Sequence, residues 1–513
     1  MSSTNFSAAG EAGPAADTSA RVIERRSIDH IPLAERHGKP WDNVPIWFLC
    51  TATLLDLALG AVGVLGGLSL TWALVAIVVG ASFGTIFAGF HSSQGPQLGL
   101  PQMIQSRPQF GYRGAILIYL VALASFLLFN IFTLVYVGEV GESVLGLPNS
   151  VGMIVTAVIA TLIAVVGYNL VQKFAKWVAV AFVAVFGILT IAAPFALDFP
   201  AASDGGGSFI LEIFMVQTAI AAATTLSWAP FVSDYTRYLP PARTRSLFVW
   251  TFGAMALSAI WVLGLGAVIT AAFPISDTVE AFKLAGDDVF GGFGTLVIAV
   301  AAIASFQLFT MDVYGSSLTL ISIVDSFKPV KPTATLRAAV SVTVGLVSLV
   351  LAFVVTGDVL AQFANLFNIL LYLLAPWTAI NLVDFFFVRH GHYSVREIFN
   401  PSGMYGAWNW RGYSAYIAGL VAMIPFASTA WYSGPAMTAM GFDVAPYVGI
   451  VVGGVVYLIV CRNLDLSHER ALIEEADAGL ESASLVQEDP VLVAEPSVGS
   501  FNLSPRAPGT LEA

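Results

Sequence analysis

Charge is scarce in this chain: only 11% of its 513 residues are Asp, Glu, Lys or Arg, where soluble domains carry about 25%. That deficit excludes a large soluble domain, which would need a long polar stretch. Cysteine is nearly absent. Cys50 and Cys461 lie in or at the edge of apolar segments, so they make neither a disulfide framework nor a metal site. The N-terminus lacks an apolar core, being rich in Ser, Ala and Gly, and no cleavable signal peptide is expected. Catalytic sets are missing too. His30, His37, His91, His390, His392 and His468 fall at the ends of apolar segments or in tails. No His-Glu-x-x-His zinc helix and no phosphate-cradling glycine loop occurs. No Ser-His-Asp or Cys-His set falls at one depth. These absences predict a protein that is not an enzyme, binds no metal or organic cofactor, has no nucleic-acid partner, and does not transport by hydrolysing ATP itself.

What the chain has is apolar residue. It is 57% hydrophobic with 46 glycines and a mean hydropathy of +0.80. The fold class that follows is an all-α polytopic membrane protein. A span needs roughly 20 apolar residues. By that rule twelve transmembrane helices are expected, near 44–66, 69–90, 115–138, 151–168, 174–196, 209–233, 247–272, 293–324, 335–355, 359–387, 413–433 and 444–461. Residues 1–43 read as a cytoplasmic arm, flexible at first and then lying on the membrane surface. Residues 462–513 read as an acidic tail, with a short helix near 465–480 and disorder beyond. With both termini on one side, Lys283 is the only one of the 22 Lys and Arg residues left on the other. Basic residues favour the cytoplasmic face. The expected place is therefore the cytoplasmic membrane, multi-pass, with both termini inside.

Acids within spans are costly and mark function. Asp56 lies mid-way along span 1, followed by glycines 60, 63, 66 and 67, which would let that helix unwind. Asp312 lies in span 8. Span 6 carries Thr224, Thr225, Ser227, Trp228 and Pro230 in close succession. Proline lacks the amide hydrogen and frees a carbonyl one turn back, near Leu226. Interrupted helices at mid-membrane are how transporters build a binding pocket. Spans 1 and 6 are five apart, the spacing of two five-helix inverted repeats, about 44–196 and 209–387. On span 3, Phe126, Phe129, Asn130 and Thr133 share one helical face. A ring beside an amide suits a flat heterocycle: one stacks, the other reads an edge. The Gly-, Pro- and Gln-rich segment 93–114 is too polar for lipid and fits a short helix along the inner surface.

Several of these stretches resemble the nucleobase:cation symporter-1 family, the purine–cytosine permeases. They are IPLAERHG at 31–38, SQGPQLGLPQMIQSRPQFGYRG at 93–114, SWAPFVSDYTRYLP at 227–240, VYGSSLTL at 313–320 and APWTAINLVDFF at 375–386. The resemblance covers about 25–461. It implies a LeuT-type fold, five plus five inverted repeats with two added C-terminal helices, and import of a nucleobase-like heterocycle with a proton or sodium ion. By motif, the family's stacking aromatics fall on Trp228 and Phe129, and its edge-reading amide on Asp312. Phe129 stands where the family usually has Trp, and Asp312 where it usually has Asn. An aspartate keeps the acceptor and loses the amide donor. The hydroxyls that sodium-using members carry on span 8 are replaced by Phe306 and Gln307, with Ser305 and Thr310 adjacent, which favours protons. The expected substrate site is Trp228, Phe129, Asp312, Ser227, Asn130, Thr133 and Asp56. The expected coupling groups are Asp312, Asp56, Ser305 and Thr310. The partners expected are the heterocycle, the cation and the bilayer, with a monomeric protein. A symporter of amino acids or cationic amines, or a transport-dead sensor, are the alternatives.

Overall fold

The computed structural model describes residues 24–473, except 25, 200–207, 243, 276, 332, 356–358, 468 and 469. Residues 1–23 and most of the acidic tail thus lie outside the described residues. Among those described, nine helices are long and apolar enough to cross a membrane, and a bent pair makes a tenth. The bent pair is span 1, Pro40–Leu49 and Leu54–Leu65, turning through 62°. Spans 2 to 5 are Leu70–His91, Ile116–Leu145, Asn149–Val166 and Tyr168–Ala196. Span 6 is Leu211–Thr236. Spans 7 to 10 are Thr244–Ala272, Phe293–Phe327, Ala334–Val354 and Val359–Val383. The last two expected spans are Trp410–Met423 and Ala445–Cys461, of 14 and 17 residues. Both are shorter than the roughly 20 residues that cross a bilayer upright. One helix was not foreseen. Thr278–Val289, between spans 7 and 8, carries Glu280, Lys283, Asp287 and Asp288 and buries only Ala281, Phe282, Ala285 and Gly286.

The packing repeats itself. Span 1 packs on span 7, and span 6 packs on span 2. Span 3 packs on span 8, and span 4 on span 9. Span 5 lies on span 8, and span 10 on span 3. Exchanging each of the first five spans for its counterpart five later maps this set onto itself. Spans 1, 2, 6 and 7 form one bundle, and spans 3, 4, 8 and 9 another.

The first bundle is held at close backbone range. A Cβ on Gly60 would lie 2.0 Å from the Leu263 carbonyl oxygen, and one on Gly84 2.1 Å from that of Ala222. Only glycine fits at either contact, as at close helix crossings in lipid. Gln217 adds a stitch between the outer parts of spans 1 and 6. Its Oε1 accepts from the Gly63 amide at 2.6 Å, and its Nε2 donates to the Leu59 carbonyl at 3.3 Å. Gly60→Leu is expected to cost about 1–3 kcal/mol by forced overpacking. The check is a lower melting temperature in detergent, with Gly253→Leu, where a Cβ meets nothing within 4 Å, as the unaffected control.

One surface expectation is corrected. Segment 93–114 does not lie along the inner surface. It forms the short helices Gln94–Leu98, Ile104–Ser106 and Arg107–Phe110, and nearly all of it is buried. Its polar side chains find protein partners instead of water. Gln94 donates to Asn381 Oδ1 at 2.8 Å, Gln109 to Asp384 Oδ2 at 2.5 Å, and Arg107 pairs with Asp325 at 2.8 Å. The described part of the arm is packed against the protein at Ile28, Ile31 and Arg36, while Leu33 and Trp41 stay exposed. Arg36, 8% exposed, donates to the carbonyls of Ile31 at 2.8 Å and Pro96 at 2.6 Å. Burial, with Arg36 and Arg26 beside it, pushes His30 down to about 4. His30 is thus neutral near pH 7, and its Nε2 accepts from Arg36 at 3.0 Å.

Candidate functional site

The span 1 break falls at residues 50–53, ahead of Asp56, and not at the glycines behind it. Gly60 and Gly63 are used for close packing, and the helix runs unbroken through Leu54–Leu65. Thr53 begins that second half. Its Oγ1 accepts from the Asp56 amide at 3.2 Å and donates to Asp56 Oδ2 at 2.6 Å. This is the N-cap arrangement, which satisfies a free amide at the new helix start. The carboxylate of Asp56 also sits at the positive end of that half-helix.

Span 6 is interrupted more gently. Its helix ends at Leu226, a 3-10 turn spans Ala229–Phe231, and a short helix Val232–Thr236 resumes. Pro230 lies inside the turn, where its missing amide hydrogen does least harm. The turn keeps Trp228 inside the protein, 4% exposed, edge-on to Phe231 with ring centroids 6.0 Å apart.

Between the two interruptions lies a cavity of about 10 Å3. Cys50, Thr53 and Asp56 line it from span 1, Thr224 and Trp228 from span 6, Phe129 from span 3 and Leu308 from span 8. Phe363 and Phe367 of span 10 close it on one side. Phe129 meets those two rings edge-on at 5.6 and 5.4 Å. With Leu55, Leu59 and Phe132 they make an apolar lid on the side away from the basic loops. A space of this size holds about one water, so a flat heterocycle fits only when the lid rings and the indole move apart.

Three expected site residues therefore share one cavity: Trp228, Phe129 and Asp56. The others lie elsewhere. Asp312 is four residues beyond Leu308, about 6 Å along the helix, towards the basic loops. It is 2% exposed, and its Oδ2 has no hydrogen-bond partner among the described residues. Ser227 turns back to the Thr224 carbonyl at 3.1 Å. Asn130 faces span 9, donating to Ser348 Oγ at 3.0 Å. Thr133 is buried one turn further along span 3. Ser305 touches the span 1 break: its Oγ accepts from the Leu54 amide at 3.3 Å. Thr310 donates to the Phe306 carbonyl at 3.1 Å. Sequence reasoning placed Thr53 at the break of span 1 but not in the substrate site, and missed Thr224, Phe363 and Phe367. The Thr53-x-x-Asp56 spacing was a readable cap signal.

The sequence pattern of permeases for cytosine/purines, uracil, thiamine and allantoin matches residues 30–449. The chain belongs to that family. It is 35% identical over 442 residues to the putative purine-cytosine permease YxlA of Bacillus subtilis, covering 86% of this permease and 96% of YxlA. It is 24% identical to the purine-cytosine permease fcyB of Emericella nidulans, covering 85% and 88%. Among solved structures, the permease resembles Mhp1, a nucleobase-cation-symport-1 family transporter solved closed with bromovinylhydantoin bound. That likeness has a TM-score of 0.67 at 17% identity and covers 85% and 94% of the two chains. A Na+-coupled sialic acid symporter follows with a TM-score of 0.55 at 12% identity, covering 84% and 91%. These likenesses establish the LeuT-type fold.

Proposed function

We propose that the permease imports a nucleobase-like heterocycle across the cytoplasmic membrane together with a cation, as a monomer with its basic loops inside. The observation that carries this reading is the placement of Trp228 and Phe129 on one cavity at the span 1 and span 6 interruptions. The two rings offer π-faces to a flat solute, and Asp56 with the Thr53 and Thr224 hydroxyls offers acceptors and donors to its edge. Transport is rocking of the bundle of spans 1, 2, 6 and 7 against spans 3, 4, 8 and 9. The lid rings Phe363 and Phe367 part on one side, and the arm on the other.

Asp312 carries the coupling proton in this reading. It lies one turn from the cavity wall, and one of its oxygens has no hydrogen-bond partner among the described residues, so it can take up and release a proton without breaking another contact there. Coupling then requires that protonation and solute binding each strengthen the other equally. The test is uptake into proteoliposomes of labelled cytosine, adenine, uracil or allantoin, with imposed proton or sodium gradients. Asp312→Asn is expected to abolish proton-driven accumulation while leaving exchange of internal for external solute. Accumulation as in the wild type would remove Asp312 from coupling. A second reading, import of a cationic amine, is favoured by the two buried acids Asp56 and Asp312. Competition of amines against the bases in the same assay separates the two.

A further inference from the structure

A second cavity, of about 410 Å3, lies in the membrane half away from the basic loops. This is within the range of ligand pockets, about 300–1,000 Å3. Its space comes from small residues, Ala58 on span 1 and Ala219, Ala222 and Ala223 on span 6, facing Leu371 of span 10 and Tyr447 of the Ala445–Cys461 helix. It lacks any residue of spans 3 or 8, so it is not a path down the central axis. It lies to the side, and Leu59, Phe363 and Phe367 are the wall it shares with the central cavity.

Three observations identify what fits. First, the rim reaches the lipid-facing surface. Val216 in its wall is 38% exposed, and Ile450 is half-buried beside Val451, which is 62% exposed. Second, one end is polar and lies at interfacial depth. Asn368 donates to the Ser428 carbonyl at 2.8 Å, and Asp443 accepts from the Ser428 amide at 3.1 Å and the Ala445 amide at 2.7 Å. Nearby Trp431, 77% exposed, suits a membrane–water boundary. Third, the charge at that end is negative. Glu212 lies against Gly441 of the rim, and neither Glu212 nor Asp443 has an ion pair among the described residues.

We propose that this chamber is a lipid site. It takes one acyl chain of a phospholipid whose headgroup carries an ammonium, with the chain between spans 6 and 10 and the ammonium at Asp443 and Glu212. A chain seated there backs Phe363 and Phe367 from behind. It therefore sets how far the lid rings can swing from the central cavity, and so links bilayer composition to opening.

The test uses the full chain, purified in detergent and stripped of lipid. Palmitoyl lysophosphatidylethanolamine is the probe, read by melting temperature and by native mass spectrometry. A saturable upward shift with one retained lipid is expected for the wild type. It is expected to persist in Leu257→Phe, an exposed span 7 position, and to vanish in both Ala219→Leu and Ala219→Phe, which fill the chamber. Equal shifts in filled and unfilled proteins would mean general detergent-like binding and overturn the proposal. So would an equal shift with lysophosphatidylglycerol, which has no ammonium. Stabilisation by alkyl-substituted heterocycles but not by the lysolipid would assign the chamber to substrate and overturn it as well. No arm measures transport, so failure here is distinguishable from failure of the importer reading.

Discussion

Trp228→Ala is expected to weaken capture of the preferred base by about 10- to 100-fold, measured as the half-saturating concentration for uptake. Stacking of a base on an aromatic ring contributes about 1–3 kcal/mol by alanine substitution, and Trp228 is the largest aromatic face on the central cavity. The indole also packs edge-on to Phe231, so its removal loosens the interruption of span 6 as well as the site. Trp228→Phe separates the two effects. A phenyl ring restores much of the packing and a smaller stacking face, and is expected to lose only about threefold. If the alanine variant melts like the wild type and keeps its half-saturating concentration, the ring does not stack on the solute. If both variants lose affinity equally, the indole NH, and not its face, is what matters.

The residues explain which features could be read without coordinates. Spans were legible because a bilayer imposes length and apolarity on each segment separately. Trp228 was legible because Pro230 follows it within a run of small and hydroxylated residues and frees a backbone carbonyl there, whereas Pro194 and Pro376 stand inside continuous helices. The span 1 break near Asp56 was legible from its polar residues, but the glycines behind it were misread because glycine has two uses in a membrane helix. Gly60 and Gly63 serve close approach to Leu263 and Gln217, and the chain bends instead where Thr53 can cap a new start. Asn130 shows the limit of periodicity. Helical spacing groups it with Phe129 on one face, but the face is wide enough for Phe129 to meet the cavity while Asn130 meets Ser348. The burial of segment 93–114 was beyond local reasoning. It rests on pairings between residues far apart in sequence, such as Gln109 with Asp384.

Glu24→Ala is expected to open the basic-loop side of the permease. This one carboxylate joins four elements. Its Oε1 accepts from the Tyr238 hydroxyl after span 6 and from the Tyr314 hydroxyl of span 8 at 3.0 Å. Its Oε2 accepts from the Tyr168 amide at the start of span 5 at 2.9 Å. Arg237 and Arg337, both 0% exposed, each lie 3.8 Å from it. Arg237 follows span 6 of the first bundle, whereas Tyr314 and Arg337 belong to spans 8 and 9 of the other bundle. The acid thus bridges the two bodies that the proposed rocking would separate on that face. Removing one partner of a buried ion pair costs about 3–5 kcal/mol, because the remaining charge stays desolvated. Here two buried guanidiniums would be left with less compensation, and opening to water relieves both. Cys50 lines the central cavity and reports the change. In a Cys461→Ser background, a membrane-impermeant maleimide applied from the basic-loop side is expected to label Cys50 about 10- to 100-fold faster in Glu24→Ala. Glu24→Gln, which keeps the acceptor and loses the charge, should fall between. Adding Arg337→Gln to Glu24→Ala removes one stranded charge and should slow labelling again, an outcome that general unfolding would not give. Labelling of Glu24→Ala at the wild-type rate would mean that the seal is held by Arg36 and the buried 93–114 segment without this acid.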